Sequence, residues 1–196
     1  MIPFSPKQAQ RAAGIAARRA LAPAARAAAN AAICACAAQQ EAFRCARTLL
    51  AYTSFGGEAD LSVLLEQAVR LGKTVAYPVC GENFSLIAAV PAPVDGWETG
   101  RYGIRTPVPA RARLLAPEEL DLVLVPCTAF DAQCRRVGMG KGYYDRFLPR
   151  CIHAAKIGIA FEAQRVEAAS VEPTDWRLDL VITEGGIYHG TDENEL

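Results

Sequence analysis

Three glycines spaced two apart, Gly138, Gly140 and Gly142, lie between Arg136 and Asp145, with Lys141 among them. Glycine lets backbone N–H groups come close to an oxyanion, and arginine and lysine neutralise its charge. An aspartate adds a hard oxygen ligand suited to Mg²⁺. Together these residue types point to phosphate binding. The familiar phosphate motifs do not describe the segment, however. A Walker A loop needs glycine where Arg135 stands and Ser or Thr at Gly142, and the dinucleotide fingerprint needs glycine at Tyr143. A flexible glycine turn with solvated bases is the competing reading.

The charge distribution singles out a second group. Net charge is zero, with 21 bases and 21 acids, yet the first 40 residues hold Lys7, Arg11, Arg18, Arg19 and Arg26 and no acid. Such a basic head suits a solvated helix face, a site for an anionic ligand, or an address, since an Ala/Arg-rich, acid-poor start also reads as a mitochondrial presequence. Lys7 and Arg11 are four apart and share one helical face. Arg18, seven further on, reads as a solvated base. Glu58 reads as an N-cap or first-turn carboxylate, Asp145 as a first-turn acid and Asp179 as an acid at the start of a strand. Of Tyr143 and Tyr144, one ring is expected in a site and the other in the core.

Other chemistries are disfavoured. Seven cysteines without a CxxC pair and only two histidines, His153 and His189, argue against a zinc cluster. Cys127 and Cys134 have no histidine nearby and read as incidental, and free thiols fit a cytoplasmic protein. Zero net charge removes the footprint of a non-specific nucleic-acid binder, and no apolar run is long enough for a membrane span.

These residues must be held by an alternation of helices and strands. Ser5 and Pro6 start a helix over 6–21, and Pro23 starts a second that runs to about Arg44. A strand over 48–53 leads to a turn at 55–57 and a helix over 59–71, closed by Gly72. Strands follow over 74–79 and 84–90, then a Pro/Gly-rich stretch over 91–109. The run 121–126 is the clearest buried strand. A polar loop over 127–142 feeds a helix over 143–151, and strands over 156–160 and 179–183 complete the set. This pattern predicts a single α/β domain over 1–190, Rossmann-like and three-layered. Its sheet is mainly parallel with helices on both faces, and 191–196 form a short acidic tail. In such sheets ligands sit at the carboxyl ends of the strands, where the glycine loop falls.

The loop and its surroundings resemble the 5-formyltetrahydrofolate cyclo-ligase family, also called 5,10-methenyltetrahydrofolate synthetase. The matching residues are Val125-Pro126, Phe130-Asp131, Arg136-Val137-Gly138, Gly140 and Gly142-Tyr143-Tyr144-Asp145. Lys7 with Arg11, the run Tyr52 to Glu58, Gly72 to Pro78 and Asp179 to Thr183 extend the likeness over most of the chain. The resemblance implies a MgATP-dependent conversion of 5-formyltetrahydrofolate to 5,10-methenyltetrahydrofolate, with ADP and phosphate released and a phosphorylated formyl group between. It implies nucleotide contacts from Lys7, Arg11, Arg136, Gly138, Met139, Gly140, Lys141, Gly142, Tyr143 and Tyr144. Thr53, Phe55, Glu58 and Tyr143 would hold the folate, polyglutamylated forms included. Lys141, Arg136 and Tyr143 would act on the reacting groups, and Asp145 and Asp179 would hold Mg²⁺. A cytoplasmic monomer with no nucleic-acid or membrane partner is expected. Three positions depart from the family's pattern: Cys134 replaces a glycine, Met139 a basic or small residue, and Thr106 a glutamate. Another phosphoryl-transfer enzyme on this scaffold, or an idle binder of folate or nucleotide, are the rival readings.

Overall fold

The computed structural model describes residues 5–190. The expected acidic tail at 191–196 lies outside them. The first helix, α1 (Pro6–Ala20), is fixed at its start by a capping box. The Ser5 hydroxyl accepts the Gln8 N–H at 3.3 Å, and the Gln8 side chain accepts the Ser5 N–H at 3.1 Å. At Pro23 the chain turns by 106° into α2 (Pro23–Gln39).

The expected single helix from Pro23 to Arg44 is two helices, because Gln40 adopts an extended conformation and its side chain caps the Cys36 carbonyl at 3.0 Å. After it comes α3 (Glu41–Cys45). Strand β1 (Thr48–Leu50) then leads to α4 (Ser62–Arg70), which starts late because Asp60 accepts the Ser62 N–H in an Asx turn. Next are β2 (Thr74–Cys80) and β3 (Leu86–Val90).

The Pro/Gly-rich stretch is less irregular than its composition suggests. It contains the hairpin β4 (Trp97–Thr99) and β5 (Arg105–Pro107), and β6 (Arg113–Leu115) follows. Strand β7 (Leu122–Pro126) is where the apolar run predicts it. The segment 127–142 holds a small hairpin, β8 (Ala129–Phe130) and β9 (Arg136–Val137), with Phe130, Cys134 and Val137 fully buried. Helix α5 (Tyr143–Phe147) gives way to a 3₁₀ turn around Pro149, so the helix expected to reach residue 151 is only five residues long. Strands β10 (Ala155–Ile159), β11 (Leu180–Thr183) and β12 (Gly186–His189) complete the chain.

The main sheet has eight strands in the order β12-β11-β10-β7-β1-β2-β3-β6. From β11 to β2 the strands run parallel, and antiparallel strands flank them on both sides. Alternation along the strands builds two cores. Leu122 and Leu124 pack with Ile33, Phe43 and Leu64 from α2, α3 and α4. Val123 and Val125 face the other way, onto Phe147 and Leu148. The result is the expected mainly parallel three-layer α/β arrangement, with the second helical layer reduced to α5 and short turns.

Candidate active site

Every parallel strand points its carboxyl end at one side of the sheet, and a cavity of about 1080 Å³ opens there. Thr53, Phe55 and Glu58 enter it from the segment after β1, and Arg136, Gly138, Met139, Gly140, Lys141 and Gly142 from the glycine loop. Tyr143, Tyr144 and Asp145 enter from α5, and Lys7 and Arg11 from α1. Residues far apart in sequence thus share one wall.

One glycine allows α1 to come so close. A Cβ on Gly14 would sit 2.0 Å from the Thr128 carbonyl oxygen, so only glycine lets the helix lie against the backbone just beyond β7. This contact brings Lys7 and Arg11 to the loop. Arg11 Nε donates to the Gly138 carbonyl at 2.7 Å, and its guanidinium lies so close that a Cβ on Gly140 (φ +86°) would come within 3.0 Å of it.

The loop is anchored from below. Asp131 is fully buried, and its carboxylate accepts the N–H groups of Gln133, Arg135 and Ala169 and an ion pair from Arg135 at 2.7 Å. Cys134 takes a positive φ of 60° in this turn, a backbone conformation that favours glycine. Arg136, also buried, donates to Asp145 at 2.7 Å and stacks over Tyr144 with its guanidinium carbon 5.6 Å from the ring centre. Its Nε is buried and, among the described residues, has no partner. Lys141 is exposed on the loop, 6.0 Å from the Phe84 ring centre.

Acids balance these bases. Lys7 Nζ donates to both oxygens of Asp175, at 2.8 and 2.5 Å, and lies 3.4 Å from Glu172. The Trp176 N–H reaches Asp145 at 3.4 Å, which brings the Asp175 segment beside Asp145. Two carboxylates on one wall match the hard-oxygen preference of Mg²⁺, which keeps most of its waters. A buried, unsatisfied arginine donor next to them matches a bound anion. The donor set therefore fits a metal-bound phosphate, in which Asp145 and Asp175 would face the metal and Arg136 and Lys7 the phosphate.

Asp179 is not part of this set. It lies at the start of β11, at the amino end of the sheet, where its carboxylate accepts the Lys156 N–H at 2.7 Å. Asp179 therefore does not stand beside Asp145 on the cavity wall, where Asp175 does, and it takes the strand-start role that its position suggests. Asp175 was missed because its segment, Glu172 to Trp176, has no periodicity; its only signal is an acid beside tryptophan in a Pro-containing loop. Arg18 also departs from expectation: it is 2% exposed rather than solvated. Tyr143 and Tyr144 do not divide between site and core, since both line the cavity and both pack on the second core.

The electrostatics separate the groups further. Burial raises the Glu58 carboxyl above its ordinary value, opposed by Arg18 at 3.4 Å and the Phe55 N–H. Burial pushes the Cys127 thiol up to about 12 and the Cys134 thiol to about 11, so neither forms a nucleophile near neutral pH. Among the described residues no group of three or more His, Cys, Asp and Glu side chains could hold a metal on its own. No single helix there is long and apolar enough to cross a membrane.

The chain is similar to known proteins in both sequence and fold. The model of the 5-formyltetrahydrofolate cyclo-ligase family matches residues 4–184. The Escherichia coli K12 protein named 5-formyltetrahydrofolate cyclo-ligase is 34% identical over 148 residues, spanning 73% of this chain and 81% of that one. The protein of that name from Mycolicibacterium smegmatis is 30% identical over 146 residues, spanning 70% and 73%. In three dimensions the chain is similar to the NMR structure of Aquifex aeolicus 5,10-methenyltetrahydrofolate synthetase. The TM-score is 0.83 at 26% identity, over 97% of this chain and 95% of that one. Sequence and fold agree over nearly the whole length: this chain belongs to the 5-formyltetrahydrofolate cyclo-ligase family.

Proposed function

We propose that the protein cyclises 5-formyltetrahydrofolate to 5,10-methenyltetrahydrofolate at the expense of ATP, which leaves as ADP and phosphate. The observation that carries this reading is the meeting, in one cavity, of a basic glycine loop and the partly buried carboxylate of Glu58. The loop suits the phosphates. The carboxylate suits the hydrogen-bond donor edge of a pterin.

Arg136, Lys7 and Arg11 neutralise the phosphate oxygens, and Lys141 sits beside the phosphoryl group in transfer. When bound, Mg²⁺ supplies charge to the same oxygens, and Asp145 and Asp175 are the residues to hold it. In the structure each of these acids is joined to a base, Asp145 to Arg136 and Asp175 to Lys7. A metal-bound phosphate brings both signs of charge, so acids and bases can exchange partners without any being left bare. The formyl oxygen bonds to the terminal phosphorus as the bond to ADP breaks. N10 then bonds to the activated carbon and loses its proton, and the carbon–oxygen bond breaks to release phosphate. Such chemistry rests on positioning and charge rather than on a covalent nucleophile. The seven free cysteines suit a reducing, cytoplasmic setting.

Incubation of the purified protein with 5-formyltetrahydrofolate and MgATP tests the proposal. Near-ultraviolet absorbance of the methenyl product is expected, dependent on both ATP and metal. Folate binding without product would favour an idle binder. ATP turnover only with another acceptor would favour a different phosphoryl transferase.

A further inference from the structure

The turn that presents Glu58 is held by arginines from the first two helices. Arg18 is 2% exposed, and all three ends of its guanidinium are used on this turn. Nε donates to the Gly56 carbonyl at 3.1 Å, one terminal nitrogen to Glu58 Oε1 at 3.4 Å, and the other to the Phe55 carbonyl at 3.5 Å. Arg26 from α2 adds a donation to the Gly57 carbonyl at 2.9 Å and closes back on the Arg18 carbonyl at 2.6 Å. Three consecutive carbonyls therefore point at two arginines. The second Glu58 oxygen is fixed by the Phe55 N–H at 3.1 Å. The glycines supply the left-handed backbone, φ +59° and +84°, that turns the carbonyls this way.

We propose that Arg18 is a positioning residue for the substrate: from α1 it holds the 55–58 turn and the Glu58 carboxylate oriented to receive the pterin's donor edge. The proposal rests on the reading of Glu58 as the folate carboxylate. Its distinctive feature is that Arg18 shares a helix with Lys7 and Arg11. Eleven residues separate Lys7 from Arg18, roughly 16 Å of helix, so one rigid rod fixes the spacing between the phosphate wall and the folate wall.

The surroundings leave Arg18 as the charge in contact with Glu58. Tyr52 beyond β1, Tyr144 from α5 and Cys127 beyond β7 also feel the Glu58 charge, and burial holds all three protonated near neutral pH. A fork that donates in three directions cannot be copied by an ammonium, which acts as a point charge. Arg18→Lys should therefore keep the charge and lose the orientation, whereas Arg18→Met loses both.

The test is steady-state kinetics of wild type, R18K, R18M and E58Q with 5-formyltetrahydrofolate and MgATP from pH 5 to 8, with melting curves to establish folding. R18K should raise KM for the folate about tenfold, the worth of one well-placed charged hydrogen bond, and leave KM for ATP within about twofold. In R18M the acid limb of kcat/KM for folate should also move to higher pH, because Glu58 loses its counter-charge. In R18K that limb should stay near its wild-type position. If R18M does not fold, R18K alone carries the comparison of the two KM values. A folate KM unchanged in R18K, with E58Q impaired, overturns the role of Arg18 and spares that of Glu58. An equal rise in both KM values marks Arg18 as merely structural. A folate KM unchanged in E58Q overturns the Glu58 assignment, and the role of Arg18 falls with it.

Discussion

Aspartates stand at both ends of this sheet and do different work. At the amino end, Asp121 accepts the Arg47 and Thr48 N–H groups at 2.8 and 2.9 Å, and Asp179 accepts the Lys156 N–H at 2.7 Å. Both are exposed, and both tie one strand to the segment that starts its neighbour. At the carboxyl end, Asp145 and Asp175 are partly buried and paired with Arg136 and Lys7 on the cavity wall. The amino-end acids satisfy backbone donors. The carboxyl-end acids pair with charged side chains that also line the cavity. The contrast between these two pairs follows from the topology, because parallel strands gather the loops that line the cavity at one end; Asp131, buried beneath the same loops, serves backbone donors there as well.

The largest expected effect lies at the carboxyl end. Lys141→Ala should cost on the order of 3 kcal/mol of transition-state stabilisation, as when an electrostatic donor is lost, while the exposed position leaves the melting temperature unchanged. Near-normal turnover would remove Lys141 from the chemistry.

The two ends should then separate in a pair of variants. Asp175→Asn should raise the Mg²⁺ concentration needed for half-maximal activity by at least about tenfold. Asp179→Asn should instead cost about 1 kcal/mol of stability in denaturant unfolding, with the metal titration unaltered. If the two variants exchanged phenotypes, the contrast between the ends would collapse.

Gly14→Ala probes how the basic helix reaches the site. Its Cβ would press on the Thr128 carbonyl, costing about 1–3 kcal/mol of stability, and the shifted helix should raise KM for ATP. A stable variant with normal KM would show that α1 can move without harm.

The smallest effect concerns pH. Burial raises Glu58, so the folded protein takes up that proton before the unfolded chain does. This contribution to stability is greatest below the ordinary carboxylate value and is lost as pH rises through the raised one. Folate binding should run the other way and weaken on acidification, as Glu58 ceases to accept. Glu58→Gln should flatten both trends and weaken folate more than ATP, as read from melting curves and KM between pH 5 and 7.

Several features were legible before the fold was known. The Ser5 cap and Pro6 mark the start of α1, and the apolar run Leu122 to Pro126 marks the central strand, because caps and buried strands are local patterns. The glycine loop was legible for the same reason. The hairpin at 97–107 and strand β12 were not, since they are held by pairing with distant strands rather than by periodicity. Arg18 was misread because a base on the polar face of a helix is ordinarily solvated; only the fold shows that a turn 37 residues away from it covers that face.

The sequence by itself determined the residue types for phosphate chemistry, their order along the chain and the class of fold that carries them. These follow from backbone conformation and hydrophobic spacing, which neighbouring residues set. Only the tertiary structure decided which acid joins Asp145 and which arginine faces Glu58. Asp175 and Asp179 are four residues apart and alike in sequence terms, yet a strand start lies at Asp179 and a cavity wall at Asp175. Burial and charge pairing depend on what the rest of the chain brings alongside, and no local pattern encodes that.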